Sequence, residues 1–422
     1  MPPEFLVPDG VTFACTQCGD CCRTGNVLLA PGEAERLAML DWAAAGHAPP
    51  DGPHTAAVRT GQRQGERLAR RPDGACIFLD SRNRCLLHEV FGPDAKPLLC
   101  RLYPFGFHPV GDRVAVDCSF ACRSIAEGLG PPIAERHADW ERLLDEAVPR
   151  APLTEPPLDE RRRLSPALLW ELEEALVAFL QRRDLDLFDR LRCGLRFLAL
   201  ATTGRLDAET SGEFRRAMAE GLARKIAAHP PTGTPNATQR ALFMQELYAA
   251  LNPPEFELLG STDRLRAEDA WLMAGARFRE RRGTVLVDGR DTGVPFERLG
   301  RVSVAAAERE GAGLLERWYV AAVVGQRFRL AGDAEIPLVE AAARLALRHP
   351  MALWSARALA AERGADAAGP DDVRRAVRLL DRTAGRLPLD RLDGRQREAL
   401  RVVLVESDLL DALVASLRAG TV

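Results

Sequence analysis

Lysine is almost missing from this chain of 422 residues: it occurs only as Lys96 and Lys225, and every other basic side chain that is permanently charged is an arginine. The net charge is only −3. No basic footprint for nucleic acid exists, and no nucleic-acid partner is expected. Runs of ~18 apolar residues, the length a membrane span needs, are also missing. The longest apolar stretches, such as Val320 to Val324, are far shorter, so membrane insertion is not expected. The first residues, Met-Pro-Pro-Glu-Phe, supply neither a basic n-region nor an apolar h-region. The expectation is a cytoplasmic chain in a reducing compartment, where disulfides are rare. No G-x-G-x-G follows a strand-like run, so no Rossmann-type cofactor site can be assigned. The segment Val285 to Gly293 reads as a turn. Cysteine, finally, is nearly absent from the last 300 residues, where Cys193 stands alone.

The other nine cysteines lie between residues 15 and 122: Cys15, Cys18, Cys21, Cys22, Cys76, Cys85, Cys100, Cys118 and Cys122. Four are packed into Cys15-Thr-Gln-Cys18-Gly-Asp-Cys21-Cys22. A C-x2-C spacing lets two thiolates converge on one metal, because the intervening turn directs sulfurs and backbone amides inward. Gly19 permits that tight backbone. Cys21 and Cys22 are adjacent, and in extended backbone they would point to opposite faces. They would then serve different metals, or one would ligate while the other packs. Nine thiols exceed the four that one zinc or one [4Fe–4S] cluster requires, so all nine are candidate ligands for one site with spare thiols or for two sites. The pattern is not the C-x3-C-x2-C loop of radical-SAM enzymes, since Cys118-x3-Cys122 lacks a third cysteine. Nor is it a C-x2-C…H-x3-H finger. His88 and His108 are weaker ligand candidates, better read as surface or hydrogen-bonded side chains. Cys193, on the apolar stripe of a helix, reads as a small core residue. Arg101 and Tyr103 flank Cys100. Arg101 would either donate hydrogen bonds to sulfur or orient the loop through an ion pair.

A composition of 46% hydrophobic and 28% charged residues is that of a globular chain long enough for two or three domains. The arginines read as a solvated surface. The expected fold is mainly α: a small irregular α+β cysteine-rich domain over 1–148, a Pro-rich linker over 149–164, and an all-α helical domain over 165–422. The linker is marked by Pro149, Pro152, Pro156 and Pro157, since proline lacks a backbone donor and disfavours helix before it. Within the first domain the pattern predicts a helix from Glu33 to Ala45, a loop from Pro49 to Gly74, and a hairpin returning through Arg113 to Asp117. Beyond the linker, Ser165-Pro166 is an N-cap and N1 pair. Apolar stripes at helical spacing then predict helices through Leu169–Leu180, Leu187–Leu198 (closed by Gly204) and Phe214–Ile226. Further helices are expected over 239–251, 263–281, 304–328, 336–348, 350–363, 370–384 and 394–418. Thr284 to Val287 is read as a small hairpin or an ordered loop.

Phe13-x-Cys15-x2-Cys18-Gly-x-Cys21-Cys22-Arg23, then Cys76-x-Phe78-Leu79, then Cys85, then Pro97-x2-Cys100-Arg101-x-Tyr103-Pro104 together resemble the CxxCxxCC cysteine-cluster family (YkgJ type). The resemblance implies a zinc- or iron-chelating domain from residue 13 to about 122. The order of a cysteine module followed by helices is similar to flagellin lysine-N-methylases. So are Phe179-Leu-Gln-Arg-Arg…Leu187-Phe-Asp-Arg-Leu191 and Leu314-Leu-Glu-Arg-Trp-Tyr319. That resemblance implies S-adenosylmethionine as cofactor and a flagellin-like protein as substrate. Three readings stand open: an S-adenosylmethionine-dependent protein lysine N-methylase, a metal-chelating or interaction protein without catalysis, and an iron–sulfur redox protein. All three place an iron–sulfur cluster or zinc in the cysteine module.

Overall fold

The computed structural model describes residues 4–60, 63–146, 156–159, 162–202, 212–253, 261–331, 334–383, 397 and 400–421. Pro149, Pro152 and Gly204, named above as linker and helix-stop signals, lie outside them, as do 394–396. The fold is mainly α, with small sheets in the N-terminal third, as expected. A three-stranded sheet has the order β1-β5-β4: β1 (Glu4–Leu6) runs parallel to β5 (Arg113–Cys118), and β4 (Phe105–Val110) is antiparallel to it. The expected return strand is therefore β5, with Gly111-Asp112 as its turn.

Two readings of this third need correction. The stretch from Pro49 to Gly74 is not a loop but holds a hairpin, β2 (Thr55–Thr60) with β3 (Arg63–Leu68). Its alternation is hard to see because, among its residues whose burial is described, only Val58 and Leu68 are deeply buried. Main-chain bonds from Leu29 N to Glu66 O and from Leu68 N to Val27 O, both 2.9 Å, add a third segment to its edge. The helix from Glu33 stops at Ala38 instead of Ala45. Asp41 accepts from Ala44 N at 2.9 Å and turns the chain. Trp42 then packs at near-parallel planes against Phe78, 6.2 Å between centroids. Short helices complete the module: α1 (Asp20–Thr24), α2 (Glu33–Ala38), α3 (Leu86–Phe91), α4 (Leu98–Leu102), α5 (Arg123–Glu127) and α6 (His137–Glu146).

The helical part contains α7 (Pro166–Leu180), α8 (Leu187–Thr202), α9 (Gly212–Ala227), α10 (Ala237–Leu251), α11 (Ser261–Arg279), α12 (Phe296–Leu299), α13 (Ala305–Glu310), α14 (Ala312–Val324), α15 (Leu338–Glu362), α16 (Pro370–Asp381) and a last helix, Leu409–Arg418, after a π-helical turn at Val402–Glu406. Ser165 caps α7 by accepting from Leu168 N at 3.3 Å, as its sequence signal predicts. Two two-stranded hairpins interrupt the helices, β6–β7 (Thr284–Val287 with Arg290–Pro295) and β8–β9 (Leu330–Ala331 with Ala334–Glu335). The helix expected over 304–328 is broken at Gly311, between α13 and α14. Conversely, 336–348 and 350–363 are one helix, α15, which runs through Pro350. A proline inside a helix costs about 3 kcal/mol. Burial on nearly every side of α15 outweighs that, because a helix apolar all round belongs in a core. The described part of the linker is docked: Leu158 and Leu164 are buried, and Leu338 N donates to Pro157 O at 2.9 Å.

Two apolar cores result. The large one joins the β1-β5-β4 sheet, Trp140 and the helical bundle. The small one consists of Leu37, Trp42, Leu68, Ala69, Ile77, Phe78 and Leu87. The reading of the arginines as solvated surface fails at several of them. Arg190, Arg329, Arg344 and Arg357 are buried. Arg190 donates to the carbonyls of Leu185 and Leu180 and to Glu316.

Gly325, just after α14, lies against the backbone of β5. A Cβ there would stand 2.7 Å from Asp117 Cα and 2.8 Å from Ala321 O. Neither atom can move without shifting a strand or a helix, so Gly325→Ala should destabilise the fold by about 1–3 kcal/mol. The check is a lower denaturant midpoint at unchanged slope.

The buried His349 lies within 3.3 Å of the Tyr319 hydroxyl and 3.2 Å of Glu308, which also takes Arg418 at 2.6 Å. Burial opposes ionisation of Glu308, but hydrogen bonds from His349 and Arg418 win and bring its carboxyl down from 4.5 to about 2. A depressed carboxyl stabilises the fold above its unfolded value and loses that contribution as pH falls through the folded one. The linkage is worth roughly 3 kcal/mol. Glu308→Gln should therefore lower stability at about pH 6, with the gap from wild type narrowing below about pH 4.5 and closing only towards about pH 2, as read by chemical denaturation.

Candidate metal centre

The CxxCxxCC loop is shaped by two left-handed residues, Gln17 (φ 52°) and Gly19 (φ 76°). At Gly19 a Cβ would also stand 3.0 Å from Asn83 Cβ, so glycine answers both the backbone angle and the close approach of the Asp80–Arg84 turn. After Gly19 the chain enters α1. Cys21 and Cys22 are thus consecutive helical residues, not the extended pair considered from the sequence, and the Cys22 thiol beside Cys21 pushes the Cys21 thiol up. Arg70, at the end of β3, holds this loop from behind. It donates to Arg23 O, to Gly25 O at 2.7 Å and to Gly74 O at 2.6 Å. Cys76 N donates to Cys22 O at 2.7 Å, so the second cysteine segment is laid directly along the first.

All ten cysteines are free thiols. Their surroundings divide them. Cys21 lies at the centre, in the electrostatic field of Cys22 and with its own charge felt by Cys18, Cys76, Cys85, Cys100 and Cys122. Cys76, Cys85 and Cys100 line the edge of the small core, whereas Cys122 packs on the large one. The group therefore sits on the seam between the two. Backbone amides near four of these sulfurs pull their thiol pKa down: Asp20 at Cys18, Phe78 at Cys76, His88 and Leu87 at Cys85, and Ile125 and Ser124 at Cys122. Amide donors favour the thiolate. Burial opposes it and dominates, raising Cys76 and Cys122 from 9.0 to about 11 and pushing Cys18, Cys85 and Cys100 up as well. Neighbouring thiols add to the rise, and Lys96 counters it at Cys21, Cys85 and Cys100.

Cys15, three residues before Cys18, is exposed, as is Cys21. Two of the named cysteines stand apart from this gathering. Cys118 is buried in β5, where burial raises its thiol well above 9.0 and its charged surroundings are Asp117, Asp381 and Arg327. Cys193 is fully buried in α8, the core position its stripe predicts. His88 is half-buried, its imidazole lowered by burial and by Lys96; His108 is buried in β4. Arg101 makes an ion pair with Glu146 and donates to Lys96 O at 3.2 Å, which is the loop-orienting alternative. The Tyr103 hydroxyl bonds Ser119 and is raised by burial, Cys122 and Cys21. Sequence spacing does not point to Asp20, Asn83 or Arg70, which act through contacts distant in sequence or near the loop itself; Lys96 stands out in sequence only as one of two lysines in the chain.

The donor set fits a soft or borderline cation. Sulfurs that crowd one another and are already met by amides gain most from a positive charge, which releases their protons. Among the described residues, no three Cys, His, Asp or Glu side chains stand at the spacing of a formed metal site, so binding asks for changes of cysteine rotamer. Among the same residues no helix is long and apolar enough to cross a membrane. No curated protein and no solved structure matches the chain significantly. Residues 14–119, from Cys15 through Cys118, match the CxxCxxCC family, described as a "putative zinc- or iron-chelating domain", and the N-terminal part of the chain is a cysteine-cluster domain of that family.

Proposed function

We propose that the module holds zinc or an iron–sulfur cluster on thiols drawn from Cys18, Cys21, Cys22, Cys76, Cys85, Cys100 and Cys122, with Cys15 within the same loop as a further donor. One observation carries this reading: seven free thiols, from the CxxCxxCC loop and from the stretches of Cys76–Cys85, Cys100 and Cys122, lie within electrostatic reach around Cys21, with backbone amides that favour the thiolate near four of them. Zinc would supply a fixed fold-stabilising charge there, and a cluster would supply electron transfer. The chain's own contribution is to hold the loop (Gly19, Arg70), to place amides on the sulfurs and to set Lys96 beside them. Cys118 and Cys193 enter as packing residues, since both lie in the large core. Replacing Cys18 and Cys21 together by Ser should abolish stoichiometric metal, whereas Cys193→Ser should leave it unchanged. Metal and sulfide analysis after anaerobic purification reads both and separates zinc from iron–sulfur. Full retention in the double variant would refute the assignment.

A second reading is methyl transfer from S-adenosylmethionine to a protein lysine. What favours it is the order of a cysteine module followed by a helical body, as in flagellin lysine-N-methylases, with the module resting on that body. The metal-replete chain should then bind S-adenosylmethionine in calorimetry and methylate a flagellin-like protein, read by mass spectrometry. Calorimetric silence from replete protein would leave the metal-chelating reading alone.

A further inference from the structure

One helix of the C-terminal body reaches both sides of the thiol group. Near the end of α16, Arg378 makes an ion pair with Asp20, the residue just before Cys21 in the CxxCxxCC loop, and its Nε donates to Ala121 O at 3.3 Å. One turn on, the buried Asp381 accepts from Ser119 Oγ at 2.8 Å and Ala121 N at 3.1 Å. Ser119 and Ala121 form the turn that ends at Cys122. Asp381 is itself fixed by Trp318 Nε1 at 2.8 Å and by Arg327 at 3.0 Å. Arg327 also donates to Asp381 O at 2.7 Å and lies 3.8 Å from Asp117. Cys122 and the CxxCxxCC loop belong to different chain segments, and they are brought together where these contacts cross the seam.

We propose that Arg378 and Asp381 are positioning residues of the metal centre: from one turn of α16 they hold the Asp20 loop against the Ser119–Cys122 turn, so that the helical body completes the site. The inference rests on the metal-binding reading above. Asp381 anchors the Cys122 side and is too deep to change without disturbing Trp318 and Arg327. Arg378 and Asp20 are partly exposed, and replacing either removes the bridge while leaving both cores intact.

The test uses the full chain loaded with Co²⁺, whose thiolate charge-transfer bands report sulfur ligation, and follows its release to a chromogenic chelator. Arg378→Gln should speed release or weaken binding by about tenfold, the usual size of an outer-sphere loss, and should reduce the charge-transfer bands. Circular dichroism and the melting of the metal-free protein should stay as in the wild type. Arg378→Lys, which keeps the charge facing Asp20, should recover most of the loss. Asp20→Asn should reproduce Arg378→Gln, and the double variant should be no worse than either single one. Should Arg378→Gln not fold, Asp20→Asn carries the test from the loop side. Wild-type release and spectrum in the glutamine variant, a lysine variant equal to it, or additive losses in the double variant would each overturn the proposal while leaving the metal reading intact. A wild-type chain that takes up neither Co²⁺, Zn²⁺ nor iron would overturn the metal reading itself.

Discussion

The ion pair between the buried Asp381 and the half-buried Arg327 is the constraint on which the arrangement of this molecule turns. A carboxylate with 2% of its surface exposed loses its hydration, and the desolvation cost of an ion in such a place is several kcal/mol. It stays ionised because the guanidinium, the Trp318 indole and the Ser119 hydroxyl replace the water, and these hold its pKa below the ordinary carboxylate value against the effect of burial. Those partners come from α14, from the turn after it, and from the end of β5. The ion pair thus fixes three elements relative to α16 in one step. An apolar residue at 381 would not choose among positions of the Ser119–Cys122 turn, whereas a carboxylate with four directed donors does. Gly325, pressed onto the backbone of β5, lets that approach happen.

The cysteine module depends on a different balance. Its own core is seven residues, little apolar area for a segment that must hold several cysteine turns. A core of that size leaves little surplus over the entropy of ordering the chain. The thiols on its rim pack there as neutral groups, since burial and neighbouring thiols both oppose their ionisation. A cation that gathers them reverses the sign of the repulsion and makes its binding energy into folding energy. The seam position extends this to the rest of the chain. Thiols on the small core and one on the large core would share a ligand, so metal binding would fasten module to body as well as stabilising the module.

Much of this was legible in the residues, because it was set by local chemistry. The cysteine spacing marked the loop, Ser165-Pro166 marked the start of α7, Gly111-Asp112 marked the β4–β5 turn, and the stripe around Cys193 marked its burial. What was not legible was set by partners distant in sequence. The β2–β3 hairpin has a polar surface and is recognisable only from its pairing with the segment around Val27. The sequence pattern splits α15 into 336–348 and 350–363 because the packing that carries the helix through Pro350 comes from other helices. Cys118 shares a module with eight other cysteines, yet its strand turns it into the large core. The bond from Arg378 to Asp20 spans 358 positions, and neither residue differs locally from dozens of other charged side chains.

The arginine composition takes on a different meaning in this light. Asp381 is held by one guanidinium through both its carboxylate and its main-chain carbonyl. Arg70 gathers the carbonyls of Arg23, Gly25 and Gly74, and Arg190 those of Leu180 and Leu185 together with Glu316. Each uses the fixed fork of donors that an ammonium lacks. A lysine in these places would keep the charge and leave acceptors unmet. Beside the thiols the requirement is inverted. There a compact charge lowers the cost of ionising several sulfurs at once without a fork to satisfy, and there one of the two lysines, Lys96, is found. Genome composition can favour arginine throughout, but the geometry of the carbonyl-capping sites and of the thiol group separates the two residues by what each position asks of a cation.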